Sequence, residues 1–416
     1  MRTDIRDERS KPGGIRRLFR NDGQGILVTT VILILIGCGN IFSATFVEAA
    51  KDGAFWGSFF VKHVMMLAVF LSIAFGVYRI DYGFWKSPFG IRLVGFVTTG
   101  LLIAVAFVGT TINGATRWIL MPGGFLSLQP SEFAKLSALI WTAAVMSDMW
   151  KAGRPVRMTG AYGNLAAIGK ILSVPALYAL MTFLQPDLGT ALLIFGFPVI
   201  LVVMAGLELL AVFSAGSVMV VLLGAAVVFT PYRMDRIKAL WDPWSHGQDL
   251  GYQTVQSLIA VGSGGFWGQG FGSGTAKYFY LPEAHTDFAF AVWAQETGYV
   301  GAVAVVLVVA LFMLFGFRIA FNARDAFGTF LALGITLLIG VQALYNMLMV
   351  CGGVPVTGVP LPFISYGGSS LMMNCAAVAM LANIAARNRR YRMRESVYPE
   401  RMSMRRETGS RFVPGE

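Results

Sequence analysis

The chain has 416 residues, of which 56% are apolar and only 13% charged, with a mean hydropathy of +0.65. A soluble globular protein carries about 25% charged residues, so the composition excludes an ordinary soluble enzyme and a disordered chain alike. The net charge of +11, from 33 basic and 22 acidic residues, is spread between apolar runs. That pattern is the positive-inside bias of a membrane protein, and it points away from nucleic acid as a partner.

In chain order, residues 1–25 form a polar, Arg-rich tail. A hydrocarbon core of about 30 Å needs about 20 helical residues. The first run of that length is Ile26–Phe46; the long, acid-bearing segment before it marks an uncleaved helix rather than a secretory signal. Further runs lie at 59–78, 91–110, 131–149, 165–184, 188–206, 208–230, 288–316, 327–350 and 367–386, which makes ten. The expected fold is therefore an all-α integral membrane protein, a bundle of about ten transmembrane helices over 26–386. A long outer loop, 231–287, joins spans seven and eight, and a basic tail occupies 387–416. With the N-terminus cytoplasmic, inner segments hold 25 Lys and Arg and outer segments 8, which places both tails inside. The tail cluster Arg387, Arg389, Arg390, Arg392 and Arg394 reads as a stop-transfer anchor that attracts anionic lipid, or as a partner site. Cys38, Cys351 and Cys375 give neither a disulfide framework nor zinc spacing, and His63, His246 and His285 are far apart.

Loops as long as 231–287 are usually functional. This one is rich in aromatics, including Trp241, Trp244, Tyr252, Phe266, Trp267, Phe271, Tyr278, Phe279 and Tyr280, with glycines recurring from 262 to 274. The pattern is no dinucleotide fingerprint; it describes a chain that folds back into the outer leaflet with aromatics at headgroup level.

Ionisable side chains inside a span cost about 2.5–3.5 kcal/mol on insertion scales, so polar groups there are paired or functional. Gln129-Pro130-Ser131-Glu132 opens span four, and Glu132 and Lys135 share one helix face, either as a structural pair or as contacts to a polar headgroup. Between spans five and six, Gln185-Pro186-Asp187 offers either a helix cap or a carboxylate lining a cavity. Before span eight, Glu283, His285 and Asp287 lie within five residues directly after the long loop. Asp287 is an N-cap or, partly desolvated at the boundary, a general base. Residues 360–370, with Ser365 and Ser369, form either a plain turn or a re-entrant segment whose backbone lines a cavity. A carboxylate, cations and an amphiphilic outer loop fit an enzyme acting on a lipid-linked headgroup, and equally a transporter.

Seven ordered motifs carry a resemblance over essentially all of 26–386. They are NGATRWI at 113–119, QPSEFAKL at 129–136, QPDLGTA at 185–191, WDPW at 241–244, the Gly-rich 251–272, LPEAHTDFAFA at 281–291 and PLPFISYGGSS at 360–370. Together they resemble the SEDS (FtsW/RodA) family, and WDPW and the final GGSS are more similar to its division branch. The resemblance implies a peptidoglycan glycosyltransferase of the bacterial inner membrane, at the division septum. Its substrate is lipid II, a disaccharide pentapeptide on undecaprenyl pyrophosphate. Its implied partners are a class B penicillin-binding transpeptidase and other divisome membrane proteins. The family's catalytic aspartate falls on Asp287, the general base toward an acceptor hydroxyl. The departing pyrophosphate needs charge stabilisation from Lys or Arg, or from a divalent cation (Mg or Mn). Arg117, Lys135, Arg233, Arg236 and Lys238 are the candidate cations. The implied substrate-binding set is Arg117, Trp118, Gln129, Glu132, Lys135, Asp187, Lys238, Glu283, His285, Ser365 and Ser369. Where the family usually reads Glu-Glu-Leu-Gly, this chain reads Gln295-Glu296-Thr297-Gly298, so the first acid has no counterpart. A lipid II translocator and a non-catalytic division scaffold are the competing readings.

Overall fold

The computed structural model describes residues 21–51, 58–112, 115–121, 127–151, 163–205, 224, 234, 240–248, 251–278 and 280–397. Ten α-helices are described: α1 Asp22–Lys51, α2 Ser58–Arg79, α3 Pro88–Val108, α4 Pro130–Lys151, α5 Gly163–Phe183, α6 Leu188–Met204, α7 Tyr252–Ser263, α8 Ala289–Phe321, α9 Ala326–Val350 and α10 Gly368–Val397. Seven of them (α1, α2, α3, α5, α8, α9 and α10) are long and apolar enough to cross a membrane. With the shorter apolar α6 and the charge-bearing α4, they account for nine of the expected spans. The span expected at 208–230 lies, apart from Gly224, outside the described residues.

Local sequence sets the helix ends. Ser87 caps α3, its side chain accepting from the Gly90 amide, with Pro88 at the first turn. Asp325 caps α9 in the same way through the Gly328 amide. Burial then sorts the helices. The apolar windows of α9 and α10 are 83% and 78% buried, whereas those of α2 and α3 are 17% buried. Helices α9 and α10 are thus the centre of the bundle, and α2 and α3 present apolar surface to lipid. Small residues bring α8 and α9 together: a Cβ on Gly316 would lie 2.2 Å from Thr336 Oγ1.

At one end of the bundle, Asp22 at the start of α1 pairs with Arg318 near the end of α8 (3.2 Å). At that same end Asn388 in α10 donates to the Ile319 carbonyl (3.3 Å), and Arg387 pairs with Asp81 just after α2. The first described helix therefore starts at the end of the bundle to which the last described helix returns, as an even number of crossings requires. Lys86–Asp148 (2.7 Å) and the Tyr82 hydroxyl bond to Asp325 complete this polar end. Burial, and then the bond to Asp325, push the Tyr82 hydroxyl far above its ordinary pKa, so it remains a donor.

Two features depart from the expected all-helical pattern. A three-stranded antiparallel sheet, β1 Thr110–Ile112, β2 Ala115–Leu120 and β3 Ser127–Leu128, fills the connection between α3 and α4. Thr, Ile and Trp are strand formers, and once the chain leaves the hydrocarbon its backbone needs partners that the hairpin supplies. Within the long loop, α7 packs on the bundle with Thr254, Val255, Ser257 and Ala260 buried, and the Ser257 hydroxyl donates to the Val350 carbonyl (2.7 Å). Its Thr, Gln and Ser residues hide its helical period from a hydropathy reading.

Candidate active site

At the other end of the bundle, Asp287 sits on the turn that leads into α8. The turn is built on Glu283, at φ +55°, whose carbonyl accepts from the Thr286 and Phe288 amides (3.2 Å each). Its carboxylate accepts from the Thr286 hydroxyl (2.7 Å). The main-chain oxygen of Asp287 accepts from Asn346 Nδ2 (2.8 Å). Its half-buried carboxylate faces Gly358, where a Cβ would lie 3.4 Å from Oδ2. The His285 carbonyl accepts from the Tyr366 amide (2.8 Å), and the Tyr366 ring lies between the rings of His285 (5.8 Å) and His63 (5.9 Å).

A second group assembles on Asp187. This carboxylate caps α6 through the Thr190 amide (3.2 Å), lies 3.5 Å from Arg117 Nη1 and accepts from Gln129 Nε2 (3.3 Å). Three separate motifs thereby converge on one buried acid. Strand β2 delivers Arg117 and Trp118, and the Trp118 carbonyl accepts from the Thr110 hydroxyl (3.1 Å). The Ser369 hydroxyl accepts from the Gln129 amide (2.8 Å) and donates to the Ser127 carbonyl (3.0 Å), which ties β3 and the start of α4 to α10. Arg117 Nε is buried without a hydrogen-bond partner among the described residues. The two groups are neighbours: a Cβ on Gly189 would lie 2.7 Å from Thr357, the residue beside Gly358. The Thr357–Gly358 segment thus runs between the Asp187 and Asp287 turns.

Glu132 and Lys135 are also buried, each about 3% exposed, and form an ion pair of 2.8 Å. Lys135 also donates to Gln342 Oε1 (2.8 Å). The pairing reading of these residues describes their placement, and Lys135 has its charge already occupied. Ser365 accepts from the Leu361 amide (2.8 Å) inside the 360–370 segment. That segment packs against the middle of α1: a Cβ on Gly37 would lie 2.2 Å from the Phe363 carbonyl oxygen. Lys238, Arg233 and Arg236 lie outside the described residues. Asp242 is committed to its own turn, where hydrogen bonds from Ser245 hold its carboxyl below the ordinary carboxylate range.

Several residues absent from the expected set prove structurally central. Lys277 and Glu296 form an ion pair of 2.8 Å with both side chains about 1% exposed. Glu296 further accepts from Ser43 (2.6 Å) and from the Gly272 amide (3.0 Å), so it anchors the end of the long loop rather than facing substrate. Gln295 accepts from the Ala276 amide (3.0 Å) and donates to Ser263 and Thr275. Gln342 and Asn346 are fully buried amides in an apolar helix. Their cost in such a setting was the available signal. Among the described residues no three His, Cys, Asp or Glu side chains converge to hold a metal ion. Mg that arrives on substrate phosphates needs only one or two carboxylates.

The geometry defines a multi-pass membrane protein with paired carboxylate sites at one end of a helical bundle. A family model for FtsW, RodA and SpoVE, described as "Cell cycle protein", matches residues 24–390, and the chain belongs to that family. A relative from Geobacter sp. (strain M18), named "Probable peptidoglycan glycosyltransferase FtsW", is 36% identical over 365 residues, covering 88% of this chain and 96% of that one. Stage V sporulation protein E of Bacillus subtilis (strain 168) is 34% identical, covering 88% and 97%. Among solved structures, a chain from work on the structural coordination of polymerization and crosslinking by a peptidoglycan synthase complex superposes with TM-score 0.67. It is 26% identical, with 88% of this chain and 98% of that chain covered. RodA of Thermus thermophilus shares the fold, with TM-score 0.59 at 24% identity over 87% of this chain and 96% of its own.

Proposed function

We propose that the protein is a peptidoglycan glycosyltransferase that polymerises lipid II into glycan strands on the outer face of the inner membrane. The observation that carries this reading is the Asp287 carboxylate. It sits half-buried on the turn into α8, against a glycine and next to the Arg117–Asp187 group. A carboxylate at a membrane surface beside a cation is what glycosyl transfer from a lipid pyrophosphate requires.

Asp287 takes the proton from the acceptor sugar's 4-hydroxyl. The freed oxygen attacks the donor anomeric carbon as the bond to the pyrophosphate breaks. The C–O bond of the new glycosidic link forms, undecaprenyl pyrophosphate leaves with the bonding pair, and the α-linked donor is inverted to a β-1,4 linkage. Pyrophosphate is a good leaving group, so it needs a positive charge more than a proton, and no second acid is required. Arg117 supplies that charge: its guanidinium is partly exposed and holds Asp187 at only 3.5 Å. Gln129 and Asp187 orient it, while Glu283 and His285 fix the turn that aims Asp287. Trp118, Ser365 and Ser369 shape the walls of the site, and Lys238 is a further cation for the phosphates. Both tails are cytoplasmic, the working location is the septum, and a class B penicillin-binding transpeptidase cross-links the product.

The test is glycan synthesis from lipid II by the purified full-length protein, with and without its transpeptidase and divalent ions. Wild-type ladders that vanish in Asp287→Asn support the base assignment. No ladder from any wild-type preparation, partner included, overturns the polymerase reading and directs attention to lipid II movement across vesicles.

A further inference from the structure

Three side chains on one face of α9 hold the segment that passes Asp287. Gln342 Nε2 donates to the Pro360 carbonyl (3.0 Å). The Tyr345 hydroxyl accepts from the Thr357 hydroxyl (3.0 Å). Asn346 Nδ2 donates both to the Val359 carbonyl (2.7 Å) and to the Asp287 carbonyl (2.8 Å). Gln342 and Asn346 are four apart, so they stack on the same helix face. Both contacts of Asn346 Nδ2 are to carbonyl oxygens, which fixes the orientation of the amide. At the other end of this chain, Gln342 Oε1 accepts from Lys135, which pairs with Glu132. The buried ion pair on α4 is thus linked through Gln342 to the Pro360 carbonyl, and the adjoining Val359 carbonyl is linked through Asn346 to the backbone of Asp287.

We propose that Gln342 and Asn346 are positioning residues that clamp the Asp287 turn to the 356–360 segment, with the Glu132–Lys135 pair as the fixed end of the clamp. The inference rests on the polymerase reading. Gly358, the residue next to Val359, faces the Asp287 carboxylate, so a shift of either backbone changes the space beside the base. In α9 neither amide is exposed, so neither touches a substrate in the site; each acts through the backbone it holds. A misplacement of about 1 Å at a reacting group costs about 100-fold in rate.

The experiment uses full-length Asn346→Ala and Gln342→Glu. The second is isosteric and keeps the link to Lys135 while losing the donor to Pro360. Lipid II polymerisation is measured across substrate concentrations, together with hydrogen exchange of peptides that contain the Phe288 and Leu361 amides. The clamp predicts a kcat reduced about 10- to 100-fold in each variant with KM changed less than about threefold. It also predicts faster exchange at both amides at once. Should Asn346→Ala not fold, Gln342→Glu carries both readings. Unchanged exchange at either segment overturns the clamp. Faster exchange with wild-type kcat overturns its role in positioning, as does a rise in KM alone. If the wild type itself makes no glycan, the polymerase reading falls, and exchange still decides whether the clamp exists.

Discussion

Lys277 Nζ lies 2.8 Å from Glu296 Oε1 in a site from which water is almost entirely removed, and Ser43 of α1 touches both side chains. The pair joins the end of the long loop to α8 and α1, just upstream of the Asp287 turn. Glu296 accepts four hydrogen bonds, from Ser43, Lys277 and the Gly272 and Gly274 amides. Removing one partner of a buried pair leaves an uncompensated charge, at about 3–5 kcal/mol. Lys277→Ala is expected to lower stability by that amount in thermal or denaturant unfolding in detergent. Lys277→Arg, which keeps the charge, is expected to lose much less. Equal losses from both would show that packing, not charge, holds the loop.

The loop is also locked by backbone contact at the kink in α8. Gly298 has φ +68° inside the helix, and a Cβ there would lie 2.3 Å from the Gly268 amide nitrogen. The kink leaves the Gln295 and Glu296 carbonyls to accept from the Gln269 and Gly270 amides (3.0 and 3.1 Å). Gly298→Ala meets both a backbone conformation (φ +68°, ψ −166°) that is essentially restricted to glycine, worth about 1–3 kcal/mol, and a clash with the 266–268 main chain. The expected outcome is detachment of residues 264–274, read as new protease cleavage there while the spans stay protected. A wild-type cleavage pattern would argue against the lock.

Arg117 and Asp187 can be separated by chemistry. Asp187→Asn keeps an oxygen to cap Thr190 but releases the charge on Arg117. The melting temperature is expected to move little while polymerisation falls about 10- to 150-fold, one transition-state hydrogen bond to a charged group being worth about 1.5–3 kcal/mol. Arg117→Lys should fall similarly, because a point charge does not reproduce the guanidinium fork. Full activity in both would remove this pair from the substrate site.

Gly358 is the glycine that faces the Asp287 carboxylate. It holds φ +74°, and its missing Cβ leaves room beside Oδ2. Gly358→Ala is expected to cost about 1–2 kcal/mol in stability from the backbone alone. It is also expected to reduce kcat for lipid II by more than that loss of folded protein explains. Comparison of initial rates per folded molecule, with folded fraction taken from gel filtration, checks this.

Much of this was legible before any fold was seen. Apolar runs of span length, the Lys and Arg bias and the helix starts at Pro130 and Leu188 are local signals, and the described helices match them within about five residues, except that α10 runs on to Val397 through what was expected to be the start of the basic tail. Spacing offers Asp187 as a cap or a cavity carboxylate and Glu132–Lys135 as a structural pair or headgroup contacts; the structure makes Asp187 a cap that also holds Arg117, and pairs Glu132 with Lys135. The hairpin over 110–128 was missed because three short strands give no hydropathy period, and α7 because its polar face masks its apolar one.

The sequence by itself determined the class of molecule and the identity of the carboxylates, since chain composition and motif spacing are properties of neighbours along the chain. Only the tertiary structure decided which groups meet. Asp187 and Arg117 are 70 positions apart, Asn346 and Asp287 are 59 apart, and Lys135 and Gln342 are 207 apart. Those encounters depend on which helix faces are buried together, and in a bundle apolar on nearly every face no periodicity marks the side that turns inward. Buried polar groups must find partners, and that demand, met across distant segments, is what places the Asp287 turn.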